Sequence, residues 1–147
     1  VAEQTESSII VHAKPEEVLA VIADLPAYPQ WSEGITKVTV LTESDGRPVT
    51  ARFELSSGPI RDTYELAYTW DGDTAVHWHL VNGEMLRAMD GSYILRAEKE
   101  STEVRYRLAV DVKVPMIGMI KRKAEKVIID TALKGLKARV ESTSRST

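Results

Sequence analysis

The sequence contains no cysteine, which excludes disulfides, thiolate nucleophiles and cysteine metal sites. No apolar run approaches the roughly 20 residues that a bilayer-spanning helix needs. The chain opens at Val1 without the charged, apolar and small-residue succession of a signal peptide, and the expected location is cytoplasmic. A formal net charge of −3 gives no whole-chain attraction for nucleic acid, so no nucleic-acid partner is expected. Gly-x-Ser-x-Gly elbows and phosphate-cradling glycine loops are also missing, and no cofactor is expected. Only three histidines are available for a metal. His77 and His79 share a strand face at a spacing some metal pairs use, but no third ligand accompanies them, so no metal site is expected.

What remains is ordinary globular material, with 43% hydrophobic and 28% charged residues. A chain of 147 residues can bury roughly 68–70% of its unfolded surface in one core. No repeat, low-complexity linker or Pro/Gly-rich boundary divides it. The expectation is one domain over 1–147, ordered from about 3 to 141, with a loose tail from Ser142 to Thr147.

Glu3 to His12 reads as a first strand. Pro15 suits the first turn of a helix, Glu16 and Glu17 suit its positive end, and Val18, Leu19, Val21 and Ile22 give it an apolar face. Leu25 to Trp31, with two prolines, predicts a turn or very short second helix. Asp45-Gly46 is a two-residue hairpin signal, because both positions need positive φ. That turn pairs Val38 with Phe53 and Val40 with Ala51, and puts Val38, Val40, Ala51, Phe53 and Leu55 on one face. A turn at Ser57-Gly58 then sets Tyr64 opposite Ala51, so that Tyr64, Leu66, Tyr68 and Trp70 continue that face.

At Asp71-Gly72-Asp73 a strict two-residue turn would point His77 and His79 inward, whereas a loop one residue longer buries Val76, Trp78 and Leu80. At roughly 25 cal/mol per Å² of apolar surface, the longer loop is preferred. The last hairpin, Leu86–Ala97 with Thr102–Lys113, pairs Leu95 with Val104 and Tyr93 with Tyr106. It turns Met89, Gly91, Tyr93, Leu95, Val104, Tyr106, Leu108 and Val110 inward. After Pro115, Ile117, Ile120, Ala124, Val127, Ile128 and Thr131 share a helical face, while Leu133, Leu136 and Val140 lie on a rotated stripe.

The fold class expected is therefore α+β: a helix-grip arrangement in which a curved antiparallel seven-stranded sheet wraps a long C-terminal helix, with two short helices between strands 1 and 2. So many strands must curl, and a curled sheet around one helix leaves space. Phe53, Tyr64, Tyr68, Trp70, Trp78, Tyr93 and Tyr106 all take the inward parity. Small residues at Ala51 and Gly91 are expected to leave room beside the rings, and Met85, Met89, Met116 and Met119 to form an adaptable wall. The candidate ligand cavity comprises Tyr28, Trp31, Val38, Val40, Phe53, Leu55, Tyr64, Leu66, Tyr68, Trp78, Met89, Tyr93, Tyr106, Met116, Met119 and Ile120.

The stretch from Ser7 to Val18, then Ile22-Ala23-Asp24 and Ala27-Tyr28-Pro29-Gln30-Trp31, resembles the opening of the START-related, or SRPBCC, ligand-binding superfamily. Within it the chain is similar to bacterial polyketide cyclase/dehydrase-like and coenzyme Q-binding proteins. Gly91-Ser92-Tyr93-Ile94-Leu95, Thr102-Glu103-Val104 and Val114-Pro115-Met116-Ile117-Gly118 fit as well, the last resembling actinobacterial members. The resemblance implies an apolar cavity between sheet and C-terminal helix. Related aromatic polyketide cyclases assist proton transfer with an inward tyrosine and arginine. That tyrosine is expected just after Trp31-Ser32-Glu33, where this chain has Gly34, and the arginine on the strand Tyr64–Trp70, which has none. No catalytic residue is therefore assigned.

Lys121 to Glu141 carries a net charge of +4 in a chain that is otherwise −7. A basic amphipathic helix can lie on anionic lipid, and Lys121, Arg122 and Lys126 are its candidate contacts. The reading is a binder or carrier of an apolar small molecule, such as a lipid, isoprenoid quinone or polyketide-like compound. Its rivals are a cyclase/dehydrase-type enzyme using cavity tyrosines, and a non-enzymatic helper or interaction protein.

Overall fold

The computed structural model describes residues 4–57, 60–113 and 118–145, with side chains described over that range except at 57, 60, 118–121 and 143–145. Strand β1 (Thr5–Val11) leads into helix α1 (Pro15–Ala23) and a 3-10 helix (Leu25–Gln30). Six strands follow: β2 (Ile35–Ser44), β3 (Arg47–Ser57), β4 (Ile60–Asp71), β5 (Ala75–Gly83), β6 (Leu86–Ala97) and β7 (Thr102–Val112). Helix α2 (Gly118–Arg145) ends the order and continues through residues expected to be a loose tail. All seven strands form one antiparallel sheet in the order β1-β7-β6-β5-β4-β3-β2.

Local chemistry explains the hairpins. Asp45 and Gly46 both take positive φ, at 54° and 78°, so the two-residue turn twists with its strands, and Val38 pairs with Phe53 and Val40 with Ala51 as expected. Ser57 pairs with Ile60, which brings Tyr64 opposite Phe53 rather than Ala51. The register is thus displaced by two, which leaves every side chain on its expected face. The β4–β5 loop has the longer form, pairing Asp71 with Ala75 and Tyr68 with Trp78; Trp78 is buried, and His77 and His79 are exposed. Arg47 stacks over the Trp70 ring at 5.3 Å and binds Asp73, tying this loop to the β2–β3 turn.

The two edges of the sheet are protected differently. Helix α2 covers β1, where Lys137 donates to the Ile10 carbonyl at 2.7 Å and Glu141 accepts from the His12 N–H at 2.9 Å. Strand β2 is irregular, with register breaks after Ile35 and between Val40 and Glu43, which spoil its template for further pairing.

The helix phase differs from expectation. Residues Ile129, Leu133, Leu136 and Val140 are buried against β1, β7 and α1, while Val127 and Ile128 lie outside. The buried stripe runs back through Glu125, whose carboxylate accepts from the Thr5 hydroxyl at 2.7 Å and the Val110 N–H at 2.8 Å. A hydrophobicity pattern skips a glutamate and so rotates the stripe toward Val127 and Ile128. Here the charge is inside because two groups of the sheet hydrogen-bond to it.

Candidate functional site

Inward parity on β2 to β7 gathers one apolar cluster. Tyr28, Val38, Phe53, Tyr64, Leu66, Tyr68, Trp78, Tyr93 and Tyr106 are buried in it, and Trp31, Val40, Leu55 and Met89 pack against it. Thirteen of the sixteen residues expected around a cavity thus meet in one place. The side chains of Met116, Met119 and Ile120 lie outside the described residues.

The rings form two ranks. Trp31, Tyr28, Phe53 and Tyr64 follow one another with centroids 4.7, 6.2 and 5.4 Å apart, the last pair stacked within 1° of parallel. Trp70, Tyr68 and Trp78 begin the second rank, which closes on Tyr93 and Tyr106 in an edge-to-face pair at 4.7 Å. Gly91 does not leave the expected room. A β-carbon there would overlap the Trp78 indole, so the missing side chain is already replaced by that ring. Trp70 sits at the rim, half-buried, with its indole N–H on the Pro48 carbonyl at 2.7 Å.

All five tyrosines of the chain belong to this interior. Burial pushes each hydroxyl well above the ordinary tyrosine range, and neighbouring tyrosines add to the effect at Tyr28, Tyr64, Tyr68 and Tyr93. They are neutral phenols at physiological pH, able to donate and accept hydrogen bonds. Tyr28 donates to the Ile22 carbonyl at 2.6 Å. The hydroxyls of Tyr64, Tyr68, Tyr93 and Tyr106 have no hydrogen-bond partner among the described residues. Their rings are buried but the phenol oxygens each keep some accessible surface, whereas Trp31 Nε1 is the fully buried polar side-chain atom without a partner among the described residues.

The two buried carboxylates are both engaged in holding the fold. Asp62 accepts from the N–H groups of Glu84, Met85 and Leu86 at 2.9, 3.2 and 3.1 Å, and so holds the β5–β6 turn. Glu125 is occupied as described above. Sequence reasoning missed both, and the only available signal was an acidic residue at a core-facing position. Among the described residues no His, Cys, Asp or Glu cluster could hold a metal. A surface hollow of about 260 Å³ lies at the β2–β4 rim among Thr36, Glu54, Arg61, Asp62, Thr63 and Glu84; it is polar and separate from the tyrosine hydroxyls.

The cyclase comparison can be made on this backbone. Gly34 has a φ of 92°, where a side chain is strained, so its place before β2 does not suit a tyrosine. Arg52, the nearest alternative to the absent arginine, faces out and pairs with Glu65 at 3.2 Å.

A seven-stranded sheet gripping a C-terminal helix over an aromatic inner face defines the START-like, helix-grip class of proteins. The chain belongs to the family described as polyketide cyclase/dehydrase and lipid transport, whose model matches residues 2–141. Among solved structures it is similar to a START superfamily protein from Mycobacterium smegmatis, at 22% identity over 97% of this chain and 99% of that one, with a TM-score of 0.89. A protein from Thermus thermophilus matches at 20% identity over 96% and 99%, TM-score 0.81. The Zhui aromatase/cyclase from Streptomyces sp. R1128 matches at 14% over 94% and 93%, TM-score 0.74. At these identities the likeness concerns the fold. No curated protein matches the chain.

Proposed function

We propose that this protein binds and carries an apolar small molecule that bears oxygen functions, held between the inner face of the sheet and α2. The observation that carries this reading is the set of four tyrosine hydroxyls, Tyr64, Tyr68, Tyr93 and Tyr106, on buried rings, without partners among the described residues and with accessible space beside each oxygen. A hydroxyl beside accessible space inside an otherwise apolar enclosure is placed to bond a polar atom that enters from outside the chain. A ligand with carbonyl, ether or hydroxyl groups among apolar carbon would satisfy them, and the stacked Phe53–Tyr64 pair offers a flat wall to a ring or a conjugated chain. Lipids, isoprenoid quinones and polyketide-like compounds fit that description, in agreement with the family's description.

The enzyme reading is weaker on chemical grounds. Proton transfer needs a base, and the inward phenols are held neutral while Asp62 and Glu125 are each engaged by hydrogen bonds that hold the fold. The test is native mass spectrometry of protein purified without detergent, followed by organic extraction. The expected result is a stoichiometric apolar adduct that is lost or weakened by Tyr93→Phe and Tyr106→Phe. An adduct unaffected by removing these hydroxyls would refute the role assigned to them.

A further inference from the structure

The side of α2 that the hydrophobic pattern assigns to the core is the side the fold leaves open. Val127 is 60% exposed and Ile128 45%. The helix comes against the Trp31 segment at Gly135, where a β-carbon would overlap the Trp31 carbonyl. Ile128 stands seven residues earlier, on the same side of the helix and about 10.5 Å back along its axis. Ala124, Ile128 and Thr131 lie on that same side of the helix.

The charges follow the same line. Lys123 and Lys134 flank Val127 at spacings of four and seven residues; both are exposed and make no ion pair among the described residues. The cations expected to meet a membrane are placed otherwise. Lys126 is held by Asp130 at 3.1 Å and the Ser7 hydroxyl at 3.0 Å, Arg122 is also engaged, and the Lys121 side chain is outside the described residues.

We infer that this face of α2 docks on an anionic lipid surface, with Val127 and Ile128 entering the headgroup boundary and Lys123 and Lys134 meeting lipid phosphates. Apolar side chains between lysines match a surface that is apolar below and anionic above, whereas the acidic remainder of the chain is repelled by it. Docking by this face brings the protein against the surface from which an apolar cargo is collected or to which it is delivered. Only this purpose rests on the ligand-binding reading; the docking is measured without any ligand.

The experiment is flotation with vesicles of phosphatidylcholine mixed with phosphatidylglycerol, against phosphatidylcholine alone. Wild-type protein is expected to float with the anionic vesicles only, and to detach as salt is raised. Lys123→Ser with Lys134→Ser should weaken binding about 25-fold, at about fivefold per lysine. Val127→Ser with Ile128→Ser should weaken it on the order of tenfold. Both pairs are exposed, so circular dichroism and thermal unfolding should match the wild type, and Lys37→Ser on strand β2 should change nothing. Absence of anionic-vesicle binding, or binding indifferent to these substitutions, overturns the inference. So does a wild-type dimer in sedimentation that Val127→Ser with Ile128→Ser converts to monomer, because a second copy then covers the face. Failure on any of these counts leaves the binder reading standing, since that reading fails only if extraction and tyrosine substitution fail.

Discussion

The two faces of the one sheet are built on opposite rules. Outside, charges answer each other across strands: Arg107 with Glu6 at 2.7 Å, Arg87 with Asp111 at 2.9 Å, and Arg52 and Asn82 with Glu65 at 3.2 and 3.0 Å. Inside, nearly all the surface is apolar or aromatic, yet four phenol groups on buried rings have nothing described to bond them. Exposed ion pairs contribute about 0–1 kcal/mol each. The outer face is paired and contributes little; the inner face is rich in packing but leaves phenol oxygens without protein partners among the described residues, a polar deficit that a molecule from outside the chain can fill. A fold selected for stability alone would place phenylalanine at several of these positions.

The largest test of this contrast is alkaline. Unfolded tyrosines ionise near pH 10, while burial keeps the folded ones protonated to higher pH. Above pH 10 the folded state therefore holds more protons than the unfolded state, and stability falls as pH rises; below pH 10 this contribution is absent. Each tyrosine costs about 1.4 kcal/mol per pH unit in that window, so five together exhaust a stability of about 5–15 kcal/mol within one to three units. Tyrosinate absorbance should stay flat above pH 10 and then rise in one step with loss of the circular dichroism signal. A gradual rise near pH 10 in folded protein would show that the hydroxyls reach solvent.

Next in size is Gly91→Ala. The new methyl must displace the Trp78 indole, itself enclosed by Tyr68, Tyr93 and Tyr106, and a loss of about 3 kcal/mol in urea unfolding is expected. A loss under about 1 kcal/mol would mean that the interior has slack beside the rings, as the sequence pattern alone suggests.

How far these features were legible follows from what each depends on. Period-two alternation and the Asp45-Gly46 turn specify the inner aromatic set, because a hairpin register is a local property. The choice between Trp78 and the histidines was settled by apolar area, which is also readable in sequence. The phase of α2 was not, because it is fixed by Glu125 meeting Thr5 and Val110, residues 120 and 15 positions away. The same holds for Gly91, whose small size reads as space until the partner strand delivers a ring onto it. Polar satisfaction is a tertiary property, and so neither Asp62 nor the unpaired phenols could be read from the chain.

The smaller effects carry the comparison to its finest point. In ligand-free protein, Tyr68→Phe, Tyr93→Phe and Tyr106→Phe should each raise unfolding free energy by about 0.5 kcal/mol, since each removes a hydroxyl without a described partner from a buried ring and keeps the ring. On the outer face, Arg107→Ala should lower it by no more than about 0.5 kcal/mol, because its partner Glu6 is well solvated once released. Deletion of a polar group would thus stabilise the protein from inside and slightly destabilise it from outside. If the phenylalanine variants instead lose stability, the hydroxyls are already satisfied within the protein, and the polar deficit that supports a ligand is not there. If they gain stability and shed the extracted adduct, the interior gives up folding free energy in exchange for recognition.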